Sequence, residues 1–442
     1  MLLASAYESP YHERAHSLPG SGRACCAARR VTRSDEPHGA LGTLLAPVTV
    51  ETFFQEYWER SPLHVARDVA GYFADMYDVA DIEESLVVGA RDLERFALVK
   101  AGSPQAALEE YVLTRPAIRW KSTGKAPTTH VDARKVAGLL ERGYTLVIKD
   151  AALLSARLQR TCNRLQRDLG AYVGANVYFT PAGAQGLDVH HDTHDTLTVQ
   201  IEGGKTWRIY EPLVELPLES QQLHRGTRVP PLTLHREIAL AAGETLYLPR
   251  GFAHEAVATE GRALHVTFAL APLRVIDLLH ETLDAAAGAD VALRRALPIG
   301  WQDDPAFATA FAAQIGPRLA ALDGETIAAA AHAALNELFA ASRSEANAAF
   351  DQLIHVAKLR PESILRVNDD LPFLVRERAG TVDVLLPGKS LGLSKLCLPA
   401  LERLQAAPVR FADLAPELAA RDAQRLVKTL VREGVLLVHD PD

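Results

Sequence analysis

The chain has 442 residues, 48% of them hydrophobic and 23% charged, with a formal net charge of −8 at pH 7. That length allows about three domains and the composition is ordinary for a globular protein. The acidic balance argues against a nucleic-acid binder, which would show a basic stripe, and gives only a weak long-range bias toward a cationic partner.

Residues 1–40 scatter Arg14, Arg23, Arg29, Arg30 and Arg33 among Gly, Ser and Pro, with no apolar signal-peptide core. A disordered tail is the expectation. From about residue 41 the pattern is structured. In "VTVETFFQEYWERSPLHV", Phe53, Phe54, Tyr57 and Trp58 fall at helical spacing, with Thr49 placed to cap and Pro62 to stop the run. Core packing is the expected role of these aromatics. Two further helices are expected over 132–170, ending at Gly143 and Gly170.

Between 172 and 270 the period changes to two. "ANVYFTP", "DTLTVQIEG", "KTWRIYEP", "REIALAAGETLYLP", "EAVATE" and "ALHVTFALAP" are short β-rich runs bounded by Gly, Pro or Asp. Such spacing suggests a sandwich or small barrel. From Pro272 the chain reads as Ala/Leu-rich amphipathic helices, whose small-residue faces suit a bundle or a dimer interface. Residues 360–442 read as a separate α/β unit: two helices, then a strand after Gly434, the order of a winged helix. Residues 394–442 hold seven Lys/Arg and seven Asp/Glu. That neutrality favours a structural or protein-contact module over a phosphate binder.

No apolar run reaches ~18 residues, so no membrane span is expected. The four cysteines, Cys25, Cys26, Cys162 and Cys397, show no CxxC spacing. Neither a zinc knuckle nor a disulfide framework is indicated, and a reducing, cytoplasmic setting is the default.

The stretch "GLDVHHDTHDTLTVQIEGGKTW" crowds His190, His191, Asp192, His194 and Asp195 together. Side chains at i and i+2 of an extended chain share a face, so His190 and Asp192 project together and His191 points away. A third ligand is expected from "GETLYLPRGFAHEA", where Pro249 and Gly251 shape a turn that aims His254 inward. Two imidazoles and one carboxylate form the facial triad of non-haem Fe(II) oxygenases, which leaves open coordination positions for a co-substrate and O2. His191, His194 and Asp195 are read as loop or surface groups, with His194 the strongest competitor for the triad face. A structural zinc site is the alternative, although such sites usually have four protein ligands and often cysteine. Lys205 follows the Gly203-Gly204 turn. It either faces solvent beside the hairpin or points inward, where a buried ammonium requires an anion.

Taken together, "NVYFTPAGAQGLDVHHD", "LTVQIEGGKTWRIY", "LYLPRGFAHEA" and "LHVTF" resemble the JmjC-type, 2-oxoglutarate-dependent ribosomal oxygenases of the cupin superfamily. "FFQEYWERSPL" also looks like their N-terminal segment. The resemblance extends over about residues 41–442 and is clearest over 172–270. It implies an α+β chain: a double-stranded β-helix oxygenase domain at 41–271, a helical dimerisation domain at 272–358 and a winged-helix-like domain at 359–442. It also implies that His190, Asp192 and His254 bind Fe(II) and that Lys205 pairs with the distal carboxylate of 2-oxoglutarate. Asn176 and Tyr178 would border the co-substrate, with Thr267 a neighbour. The implied activity is hydroxylation of a side chain in a basic, ribosomal or other, protein or peptide by a cytoplasmic homodimer. An N-methyl demethylase, a cupin dioxygenase or isomerase that does not use 2-oxoglutarate, and a non-catalytic metal-binding scaffold are the alternatives. Two departures bear on specificity: His191 stands where relatives commonly have an aromatic or aliphatic residue, and "THDT" is unusually polar. Both are placed as candidates to line the substrate channel.

Overall fold

The computed structural model describes residues 39–115, 128–222, 229–341, 349–377, 380–414, 416 and 418–439. The tail expected over 1–40 lies outside the described residues except for its last two.

The helix starts and stops follow from local chemistry. The Thr49 hydroxyl accepts from the Thr52 N–H at 3.1 Å, as an N-cap does. The following turn, Phe53–Tyr57, is a π-helix rather than a continued α-helix. Phe53 is fully buried and meets the Tyr247 ring edge-on at 4.8 Å, while Trp58 stacks on the same ring at 5.9 Å. The expected core role therefore holds for Phe53, whereas Phe54 is exposed. Asp132 and Ser155 cap the helices Ala133–Glu141 and Ala156–Leu169. The second of these ends at Gly170 in the left-handed region (φ 62°).

Ten strands position the site: β1 Leu63–Val65, β2 Phe96–Val99, β3 Thr145–Ile148, β4 Tyr172–Thr180, β5 Asp195–Glu202, β6 Gly204–Pro212, β7 Leu234–Ala241, β8 Thr245–Leu248, β9 Phe252–Ala258 and β10 Ala263–Ala271. Seven form one antiparallel sheet in the order β1-β8-β5-β10-β4-β3-β2, and three form a second in the order β9-β6-β7. The alternating pattern of β5 and β10 buries Leu197, Val199, Val266 and Phe268 in a core shared with the N-terminal helices. Trp207, Ile209, Ile238 and Leu240 close the smaller sheet. Side chains of both sheets meet in the space between them: the Trp207 ring of β6 lies edge-on to the His265 ring of β10 at 5.9 Å.

Beyond β10 come the helices Val275–Ala289, Phe307–Ala320, Gly324–Ala341 and Ala349–Ala357, as the Ala/Leu pattern predicts. The C-terminal residues have a core of their own, centred on Leu365, Val384, Leu401, Leu426, Leu430 and Val438. Helices Leu398–Ala406 and Ala420–Arg432 pack there with two three-stranded sheets, and the last strand, Leu436–His439, pairs with Ile364–Val367. No helix of the described residues is long and apolar enough to cross a membrane.

Candidate metal centre

The triad comes together as spacing predicts, but not on a regular strand. The segment before β5 runs beside β9 and touches it through isolated bridges at Gln185–Val257 and His190–His254. The His190 and His254 backbones exchange two hydrogen bonds, at 2.7 and 3.2 Å, and the Gly251 N–H donates to the Asp192 carbonyl at 3.0 Å. These bonds hold the segment extended, so alternation persists without a full ladder. His190, Asp192 and His254 each offer a ligand atom within 4.8 Å of the other two. His254 Nε2 lies 3.7 Å from Asp192 Oδ2.

Gly251 makes the turn possible. Its φ of 94° belongs to the left-handed side, and a Cβ there would sit 2.1 Å from the Val214 carbonyl oxygen.

The surroundings of the two histidines select their tautomer. His190 Nδ1 lies 2.8 Å from the Asp188 carbonyl and His254 Nδ1 lies 3.0 Å from the Phe252 carbonyl. A carbonyl can only accept, so each Nδ1 carries the proton and each Nε2 keeps its lone pair for a metal. Burial, with His190 alongside, holds His254 below the ordinary histidine range. Burial alone would raise Asp192, but His190 and His254 more than offset it, and its carboxyl sits below the usual range. An imidazole lone pair at each Nε2 and an ionised carboxylate are what a divalent cation binds.

A cavity of about 60 Å³ opens beside the triad, several times what one water molecule needs. Lys205 reaches it from β6 and is 3% exposed. No hydrogen bond or ion pair holds Lys205 among the described residues, and burial lowers its pKa to about 7. Of the two readings of Lys205, the structure selects the inward one. Tyr178 and Thr267 also line the cavity. The Thr267 hydroxyl lies 2.9 Å from that of Thr198. Asn176 does not line it: its side-chain oxygen accepts from the Asp150 N–H at 3.0 Å.

Two expectations are corrected. His191 is not a loop-surface group lining a channel; it is 2% exposed, faces away from the cavity and approaches the Gln221 carbonyl at 3.2 Å. Asp195 is fully buried and accepts from the Arg250 backbone N–H at 2.8 Å, with Arg250 Nη1 at 3.3 Å from its other oxygen. Each is buried by a residue distant in sequence, Gln221 over His191 and Arg250 over Asp195, a context that alternation alone does not reveal. His194 is half-buried and outside the triad. Sequence reasoning missed Trp207, Thr198 and His265, which line the cavity. Their signal was alternation: Trp207 is two residues beyond Lys205, and His265 two before Thr267.

Residues 151–278 match the JmjC domain family. The chain is 30% identical to ribosomal oxygenase 2 of Bos taurus over 293 residues, 62% of this chain and 58% of that protein. It is 29% identical to the bifunctional lysine-specific demethylase and histidyl-hydroxylase NO66 of Drosophila persimilis, over 59% of this chain and 36% of that one. The chain thus spans less than two thirds of these relatives' lengths. Among solved structures, the ribosomal oxygenase YcfD of Escherichia coli in complex with cobalt and 2-oxoglutarate superposes with a TM-score of 0.51 at 16% identity, over 89% of this chain and 99% of that one. A second YcfD structure, with cobalt and succinic acid, gives 0.53. At that identity the likeness shows a shared fold and nothing more.

Proposed function

We propose that the protein is an Fe(II)- and 2-oxoglutarate-dependent oxygenase that hydroxylates a side chain of a basic protein, ribosomal proteins being the leading class. The observation that carries this reading is the pairing of a three-ligand centre with a buried, unpaired ammonium in one small cavity. A structural zinc site would have no use for Lys205. A dicarboxylate held at the triad by one end would give Lys205 its missing anion at the other. The relatives named as ribosomal oxygenase and histidyl-hydroxylase, and the 2-oxoglutarate held by YcfD, support the same assignment.

His190, Asp192 and His254 would hold the iron. When bound, iron and 2-oxoglutarate supply the means to activate O2 and oxidise a C–H bond. The protein supplies placement. Carbonyl-held imidazoles present Nε2, the β9 bridge keeps His190 against His254, and Lys205 orients the dicarboxylate. Aromatic walls, with Trp207 tilted toward His254 at 5.7 Å, exclude water.

For the rest of the chain we propose a cytoplasmic homodimer. Val275, Leu279 and Leu283 are exposed at helical spacing on Val275–Ala289, which suits a second copy across the helical region 272–358. Residues 359–442 are read as a winged-helix-like module making protein contacts.

The test is succinate release from 2-oxoglutarate with a basic-protein extract, by wild type and by Asp192→Ala. A +16 Da shift on a substrate protein with wild type alone supports hydroxylation. A −14 Da shift would assign the demethylase reading instead. The oxygenase reading fails if the protein neither binds 2-oxoglutarate nor makes succinate.

A further inference from the structure

His265 has a problem that no neighbouring group solves. It stands on β10, paired across the sheet with Tyr178 of β4, and lines the same cavity as Lys205. It is 3% exposed. The Tyr178 ring stacks on it at 4.7 Å with an 11° interplanar angle, and the Trp207 ring crowds it edge-on. Two aromatic contacts therefore fix the imidazole plane, yet they use none of its hydrogen-bonding capacity. Nδ1 is buried with no partner, and no hydrogen bond to either ring nitrogen exists among the described residues.

A polar ring sealed between aromatics without a partner costs free energy and is retained where something completes it. Burial, reinforced by the positive charge of Lys205, keeps the ring neutral. A neutral imidazole has one N–H to give and one lone pair to receive. Beside an ammonium already seeking an anion, the group that satisfies both is a carboxylate with two oxygens.

Resting on the oxygenase reading above, we infer that His265 is a second binding residue for the dicarboxylate, donating an imidazole N–H to the carboxylate that Lys205 neutralises. The division of labour is physical. Lys205 supplies charge from a flexible stem. The clamped imidazole supplies direction, and it does so without placing a second full charge in the cavity. Its effect is confined to ligands that possess a far carboxylate.

That confinement is the test. Zn(II)-loaded protein is titrated with 2-oxoglutarate and, separately, with pyruvate, which has the keto acid but no far carboxylate. His265→Phe keeps the stacking and removes the donor. It is expected to weaken 2-oxoglutarate binding about tenfold to a hundredfold, the loss of one hydrogen bond to a charged group, and to leave pyruvate within about twofold. His265→Asn and His265→Gln return an amide near the Nδ1 and Nε2 positions respectively, and one of them is expected to restore most of the affinity. In unsubstituted protein labelled with ¹⁵N-histidine, a downfield imidazole N–H signal is expected to sharpen on adding 2-oxoglutarate and not on adding pyruvate.

Equal losses for both ligands would make His265 a packing residue, and unchanged 2-oxoglutarate affinity would remove it from the site. If His265→Phe does not fold, the two amide variants and the labelled wild type decide. Equal affinities in both variants with no new N–H signal overturn the inference. Wild-type protein that binds no 2-oxoglutarate at all overturns the oxygenase reading, and this inference with it. Loss of binding in Lys205→Ala but not in the His265 variants sinks this inference alone.

Discussion

The backbone N–H of Arg250 donates to the Asp195 carboxylate at 2.8 Å, tying a residue three beyond one metal ligand to a residue four before another. The Arg250 guanidinium also bridges to Glu59, whose own N–H donates to the Tyr247 hydroxyl at 2.9 Å. The N-terminal aromatic cluster, β5 and the His254 turn are thus strapped together. Asp195→Ala leaves Arg250 buried with a single carboxylate partner. It is expected to cost about 3–5 kcal/mol of stability, the usual penalty for breaking a buried pair. Urea denaturation measures the loss, and metal titration of the folded fraction is expected to show weaker binding.

Burial raises the Asp195 pKa to about 6, with Arg250 offsetting part of the effect. An acid whose folded pKa lies above its unfolded value contributes stability that is complete below the unfolded pKa and lost as pH rises through the folded one. Between pH 4 and 6 the wild type is therefore expected to lose on the order of 3 kcal/mol relative to Asp195→Asn, the equivalent of about two pK units. Urea unfolding of both proteins at intervals across that window reads the difference. Parallel stability curves would show that Asp195 does not titrate there.

Lys205→Met removes a buried ammonium that has no counter-charge. The ligand-free variant is expected to be more stable than wild type at pH 6, where the native lysine is charged, and to bind 2-oxoglutarate about ten- to a hundredfold more weakly. Calorimetric melting and ligand titration of the same preparations check the two halves. A variant that gains no stability would indicate that water already solvates the lysine.

With its pKa near 7, Lys205 is half neutral at neutral pH in the free protein. A bound carboxylate favours the ammonium, so binding takes up a proton above that point. Affinity for 2-oxoglutarate is expected to be highest below pH 7 and to fall by up to about tenfold per unit above it. Titration calorimetry of Zn(II)-loaded protein at pH 8, in buffers of different ionisation enthalpy, should register uptake approaching one proton.

Gly203 turns the β5–β6 hairpin with φ 66°, and a Cβ there would lie 2.1 Å from the Arg262 carbonyl oxygen. Gly203→Ala is expected to cost about 1–3 kcal/mol and, because the next turn residue leads straight into Lys205, to weaken 2-oxoglutarate binding with little effect on metal affinity. Melting temperature and the two titrations separate these effects.

The triad was legible in the sequence because its determinants are local. Alternation pairs His190 with Asp192, and the proline-glycine turn announces His254. The inward pointing of Lys205 was not, since spacing beside a hairpin fits either face. What decides it is the stacking of one sheet on the other, a long-range fact. His191 and Asp195 were misplaced for the same reason. Polar residues between two metal ligands look like loop surface until the Gln221 carbonyl and Arg250 are brought over them. The aromatic residues 53–58 read correctly as packing groups for Phe53, but the π turn that redirects them carries no composition signal.

The uncompensated charge of Lys205 also bears on how long the molecule survives in a cell. Any ligand that binds only the folded chain adds about 1.4 kcal/mol for each tenfold rise in its concentration above the dissociation constant. Under the proposed function, a chain whose cavity is completed only by a dicarboxylate would be more often unfolded, and more often degraded, when that ligand is scarce.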